Sequence, residues 1–148
     1  MNTPTQNSLD SLVEWFETLT PESVSRTAAF YAPDATFKDP FNEVTGVERI
    51  ERIYAHMFGQ VLEPRFHVLE RIQDGSKAVL IWEFHFRNAK STPVTIVRGA
   101  SHLHFNADGL ISLHRDYWDA AEELYAKAPG LGLLMRWLQS RLMAPPNP

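Results

Sequence analysis

The sequence predicts an α+β domain. A curved antiparallel sheet forms a cone, three N-terminal helices pack on its concave face, and further helices follow at the C-terminus. Three observations predict it. Helical periodicity dominates residues 8–58, whereas strand alternation and hairpin turns dominate residues 65–118. That segregation marks α+β architecture. The longest strand candidate, Lys77–Arg87, would extend about 35 Å at roughly 3.3 Å per residue and must curl. Finally, 148 residues with 44% hydrophobic and 11% aromatic content suit one domain, residues 1–148, with a core at 8–120 and a helical extension at 120–143.

In order along the chain, Ser8 can cap a helix whose apolar positions are Leu9, Leu12, Val13, Phe16 and Leu19, with Trp15 at the edge of the stripe. Thr20-Pro21-Glu22 signals a second helix, carrying Val24, Ala28 and Tyr31 inward and ending near Pro33. Residues 35–40 alternate as a short strand, with Ala35, Phe37 and Asp39 on one face. Thr45-Gly46-Val47-Glu48 reads as a capping box for a third helix with the stripe Val47, Ile50, Tyr54, Met57 and Phe58.

An extended segment at 65–73 meets the turn Asp74-Gly75, then the strand 77–87. Another strand covers about 94–105. The turn Asn106-Ala107-Asp108-Gly109 leads to a last strand at 110–118. A helix near 119–127, a break at Pro129-Gly130 and an apolar helix near 131–143 complete the chain, and Pro145–Pro148 should fray. The apolar helix is expected to cover the cone mouth or a second subunit.

Composition excludes several function classes. The formal net charge of −4 disfavours a general nucleic-acid binder. No apolar run reaches the roughly 18 residues of a membrane span. The polar opening Met1–Ser8 lacks the basic-then-apolar pattern of a signal peptide, so the expected compartment is cytoplasmic. There is no cysteine, which removes disulfides, thiolate catalysis and cysteine metal sites. No glycine-rich phosphate loop, Gly-x-Ser-x-Gly elbow or His-Glu-x-x-His is present.

Two acids are the candidates for chemistry. Asp39 shares a strand face with Ala35 and Phe37, where a carboxylate is costly unless bonded and is well placed as a proton acceptor or donor. An Asp before Pro40 also commonly closes a turn. Asp116 alternates with Ser112, His114 and Trp118, but both faces of that strand are mixed, so alternation alone does not choose the inner one. An ion pair or dimer contact is the other reading of Asp116. His102 and His104 share a strand face that Val97, Leu103 and Phe105 assign to the outside, and no third ligand accompanies them, so no metal is expected. His56, His67 and His85 read as surface or interface residues.

The run Phe30-Tyr31-Ala32-Pro33-Asp34-Ala35-Thr36-Phe37-Lys38-Asp39-Pro40 resembles the nuclear-transport-factor-2-like superfamily, as do Phe105–Ile111 and His114-Arg115-Asp116-Tyr117-Trp118. Its SnoaL-like branch includes relatives of ketosteroid isomerases and limonene epoxide hydrolases. The resemblance implies that Asp39 matches the isomerase base, while the isomerase's donor tyrosine falls at Trp15 and its protonated acid near Ser101. It also implies that Asp116 matches the last-strand acid of the epoxide hydrolases. Their Arg-x-Asp on an earlier strand is replaced by Trp82-Glu83-Phe84-His85.

The implied site joins Asp39, Asp116 and His114 as catalytic groups with Trp15, Phe37, Tyr54, Trp82, Phe84, Ser101 and Trp118 as ligand-binding groups. The implied function is binding of a small hydrophobic oxygen-bearing molecule, with acid/base isomerase, cyclase or hydratase chemistry that calls for no metal or organic cofactor. A homodimer through the sheet is the implied assembly. A non-catalytic binding or interaction module is the alternative.

Overall fold

A computed structural model describes residues 4–123 and 130–142. They form two compact units divided after Trp118. The first contains α1 (Pro4–Glu17), a 3-10 helix (Ser23–Ala29), β1 (Tyr31–Lys38), β2 (Glu43–Thr45), α2 (Val47–Gln60), β3 (Leu62–Asp74), β4 (Lys77–Arg87), β5 (Thr95–Phe105) and β6 (Ile111–Tyr117). The second contains α3 (Ala120–Glu123) and α4 (Leu131–Leu142).

The strands make one curved, unclosed six-stranded sheet in the order β2-β1-β6-β5-β4-β3. The long strands β3, β4, β5 and β6 form the expected antiparallel meander. Asp74 faces Lys77 across the first hairpin, with Gly75 at φ 59°. That left-handed backbone is why the turn takes glycine. At the second turn the Asn106 side-chain oxygen accepts from the Asp108 and Leu110 amides.

One face of the sheet carries the core. Ala78, Leu80 and Trp82 of β4 and Val97, Ser101 and Leu103 of β5 are buried, as the alternation of each strand requires. α1 lies against β3 and α2 against β1. They contribute the buried Leu9, Leu12, Val13 and Phe16, and the buried Ile50 and Tyr54.

Several expectations are corrected. The first helix starts at Pro4, so Ser8 lies inside it and is not its cap. The second helical segment is a 3-10 helix ending at Ala29, and among the described residues two α-helices precede the meander. Thr20 and Ser23 exchange backbone-to-hydroxyl bonds at its start. Tyr31 belongs to β1, where β-branched and aromatic side chains pair with β6. The expected capping box is not made: Gly46, at φ 109°, is the N-cap of α2, and Thr45 lies in β2. β2 itself had no expectation attached. The sheet is mixed, because β1 runs parallel to β6.

In the second unit, α3 is described over Ala120–Glu123 and the rest of the expected 119–127 helix lies outside the described residues, as do Pro129 and the C-terminal prolines. Gly130 has φ 83°, which suits the expected break. The described apolar side chains of α4, including Leu133, Trp137 and Leu142, are exposed. Among the described residues, no helix is long and apolar enough to cross a membrane.

Candidate active site

Register brings the polar groups together. β5 and β6 pair Ser101 with Asp116 and Leu103 with His114, so three polar side chains project from the inner face as neighbours. β4 pairs Trp82 with Gly99, one pleat from Ser101. Gly99 is required there because the Trp82 ring lies across it: a Cβ would stand 2.5 Å from Cη2 and 2.7 Å from Cζ2. With the glycine in place, the indole reaches over its neighbour and donates to Ser101 Oγ at 2.8 Å.

Asp116 Oδ1 collects two hydrogen bonds, at 2.5 Å from Ser101 Oγ and 2.6 Å from His114 Nε2. An ionised carboxylate has no proton to give, so both partners donate to it. A neutral His114 ring protonated on Nε2 has a bare Nδ1. That nitrogen lies 2.7 Å from the Tyr31 hydroxyl, which therefore donates. Tyr31 in turn sits 2.7 Å from the Tyr54 hydroxyl and accepts from it. The result is two hydrogen-bond chains that converge on one oxygen: Tyr54 to Tyr31 to His114 to Asp116, and Trp82 to Ser101 to Asp116. Protonating the His114 ring on both nitrogens would reverse the two tyrosine bonds.

These groups sit where water is scarce. His114 and Ser101 are each 3% exposed. Burial pushes the Tyr31 hydroxyl well above the usual tyrosine range, with Tyr54 and the Asp116 charge adding to it. Burial does the same to Tyr54, followed by the charge of Asp116. Both phenols are thus held neutral, which suits them to donate.

The network borders a small open pocket with a cavity volume of about 30 Å³. Ser101, His114 and Asp116 form its polar wall. Phe16 and Tyr54 come from the helices, Phe66 and Val68 from β3, and Leu80 and Trp82 from β4. Asp116 keeps some exposure, 17% of its side chain. Its Oδ2 has no hydrogen-bond partner among the described residues and is not a buried orphan, so it is open to a ligand or to water.

The expected site residues divide into two groups. Asp116, His114, Ser101, Trp82 and Tyr54 converge on the cavity. Phe37 supports them from behind, its ring packed on His114 and near Tyr54. Phe84 stacks on Phe66 as part of the neighbouring aromatic wall.

The remaining expected residues lie elsewhere. Trp15 is core: its indole donates to the Ser23 carbonyl at 2.9 Å, and its ring stacks on Phe30. Trp118 packs edge-on against Phe41 and is not a lining residue. Asp39 also is not among the lining residues. β1 ends at Lys38, and the carboxylate instead accepts from the Phe41 and Asn42 amides at 2.8 and 2.6 Å, with the Asn42 side chain adding two bonds. The turn reading of Asp39 therefore describes its surroundings, and the expected pair of facing acids is replaced by Asp116 with a histidine, a serine and two tyrosines.

Sequence reasoning missed Tyr31 because it was placed on a helix. It also missed Phe66 and Val68, whose alternation in β3 was a usable signal without a known partner strand. On the opposite face of the sheet, His102 and His104 approach through Nε2 at 3.2 Å. Burial, then His102 and Lys77, hold the His104 ring below the usual histidine range. Among the described residues, no group of three or more His, Asp or Glu could hold a metal ion.

No curated protein matches the chain. Solved structures with the same fold include a protein of ketosteroid isomerase-like fold from Catenulispora acidiphila in complex with trimethylamine, at 15% identity and TM-score 0.67, covering 79% of this chain and 88% of that one. A nuclear-transport-factor-2-like protein of unknown function from Burkholderia pseudomallei shares 17% identity with TM-score 0.69, covering 82% and 95%. An M. tuberculosis LEH-like epoxide hydrolase shares 16% identity with TM-score 0.66, covering 94% of this chain and 96% of that one. Residues 12–114 match the model of the SnoaL-like domain, and the chain therefore belongs to that family.

Proposed function

We propose that the protein binds a small, largely apolar molecule in the cavity and that Asp116 Oδ2 accepts a proton from it. The observation that carries this reading is the convergence of both hydrogen-bond chains on Asp116 Oδ1. That convergence fixes the carboxylate in place and leaves its second oxygen unpartnered beside an aromatic-lined space. His114 and Ser101 orient the acid, Tyr31 and Tyr54 orient His114, and Trp82 serves as wall and anchor. Preorganised acid/base groups beside a largely apolar pocket can supply isomerase, cyclase or hydratase chemistry. The fold relatives lend support, since one is an epoxide hydrolase and another was solved with a small amine. Asp39 receives a turn-forming role. Assembly as a homodimer through the outer sheet face, in the cytoplasm, belongs to the same proposal.

The test is a thermal-shift panel of small aromatic amines, alcohols, ketones and epoxides, followed by magnetic resonance of the hits in heavy water. A ligand at one hundred times its Kd should stabilise the native state by about 2.7 kcal/mol. Ketone hits should gain solvent deuterium at the carbon beside the carbonyl on wild-type protein, and Asp116→Asn should abolish that exchange while the fold persists. Binding with no exchange on either protein would favour a non-catalytic binding module. That second reading draws on the engagement of Asp39 in its turn. A panel without hits would remove the ligand-site reading.

A further inference from the structure

The cavity offers a ligand a hydrogen-bond acceptor and no free donor among its described side chains. With His114 neutral, each polar hydrogen at its edge already has a partner. The Trp82 N–H goes to Ser101, the Ser101 hydroxyl to Asp116, and His114 Nε2–H to the same carboxylate. The Tyr31 hydroxyl goes to His114 Nδ1, and the Tyr54 hydroxyl goes to Tyr31. What remains for a ligand is the unpartnered Oδ2 of the lining residue Asp116 and the lining rings of Phe16, Tyr54, Phe66 and Trp82. No Lys or Arg lines it among the described residues.

This pattern discriminates between ligand chemistries. A carbonyl oxygen placed beside Asp116 would set acceptor against acceptor and lose its hydrogen bonds to water without replacement. An ammonium group supplies both things the wall lacks. Its N–H donates a charge-assisted bond to Oδ2, and its positive charge is attracted to the faces of the surrounding rings. The Asp116 charge already acts on a lining group, since it helps raise the Tyr54 hydroxyl after burial.

We propose that the cavity recognises a small amine in its ammonium form, with the cation paired to Asp116 Oδ2 and an apolar body held among Phe16, Tyr54, Phe66 and Trp82. This inference rests on the reading of the cavity as a ligand site and names the ligand's chemical class.

Four compounds of one carbon skeleton test it: α-phenylethylamine, α-phenylethanol, acetophenone and ethylbenzene, titrated calorimetrically into the wild-type protein and Asp116→Asn. The amine should bind wild type about tenfold or more tighter than each of the other three, a difference of about 1.4 kcal/mol. Asp116→Asn removes the charge and brings an N–H donor, so it should erase that preference and improve acetophenone. The wild-type ranking stands even should the variant fold poorly. Acetophenone or ethylbenzene binding as tightly as the amine would overturn the inference, and so would an amine preference that survives in Asp116→Asn. Those two results leave the ligand-site reading intact. Failure of all four to bind wild type would remove that reading and the inference together.

Discussion

Gly99→Ala is expected to destabilise the protein by about 1–3 kcal/mol, the usual cost of forcing extra volume into a packed core. The sign is informative. In a strand, replacing glycine by alanine normally helps by roughly 0.5–1 kcal/mol, because it reduces the freedom of the unfolded chain. Here the new methyl would stand 2.5 Å from Trp82 Cη2 and 3.0 Å from Cζ3. The ring is 6% exposed, with Phe66 edge-on to it, so it cannot move aside cheaply. The indole should shift, release Ser101 and leave the donor to Asp116 poorly held. Urea denaturation followed by tryptophan fluorescence reads both effects. A stabilised Gly99→Ala variant with unchanged fluorescence would show that Trp82 does not lie across the strand.

Stability should also fall steeply above about pH 10. Burial raises the hydroxyls of Tyr31 and Tyr54 in the folded state, whereas the unfolded chain keeps the ordinary value near 10. Below that value both states hold the protons, and the stability contributed by the neutral phenols is fully present. Above it the unfolded chain releases protons that the folded chain retains, so stability declines as pH rises toward the folded-state values. Each tyrosine contributes a slope of about 1.4 kcal/mol per pH unit in that window, and the pair about 2.7. Tyr54→Phe should halve the excess slope at a basal cost of about 0.5–1.5 kcal/mol, because Tyr31 still donates to His114 in that variant. An unchanged slope in Tyr54→Phe would mean that its phenol ionises freely in the folded protein.

The parts of this arrangement differ in how far they could be read from residues alone. Lys77–Arg87 was legible to the residue, because its alternation is long and glycine turns bound it on the preceding side. β6 was not. Its two faces are both mixed, and a register irregularity between His104 and Phe105 puts Ile111 and His114 on the buried side together. Strict alternation cannot generate that pattern. Asp116 was therefore a candidate whose face only pairing with Ser101 could decide.

Asp39 illustrates the opposite failure. Its alternation with Ala35 and Phe37 was real, and both of those are buried, but the strand stops one residue earlier and Asn42 captures the carboxylate. Tyr31 was misassigned because Thr20-Pro21-Glu22 is a strong helix start. Nothing local signals that the helix is a short 3-10 segment, after which parallel pairing with β6 takes over. Long-range pairing, absent from any local pattern, built the site.

Two hydrogen-bond chains converge on Asp116, and the tautomer of His114 reports on that convergence. Nitrogen magnetic resonance of imidazole-labelled protein distinguishes a protonated ring nitrogen from a bare one. The neutral ring should carry its proton on Nε2 and leave Nδ1 bare, with Nδ1 shifted by its bond from Tyr31 and Nε2 perturbed in Asp116→Asn. A proton on Nδ1, or a His114 spectrum indifferent to Asp116→Asn, would contradict it.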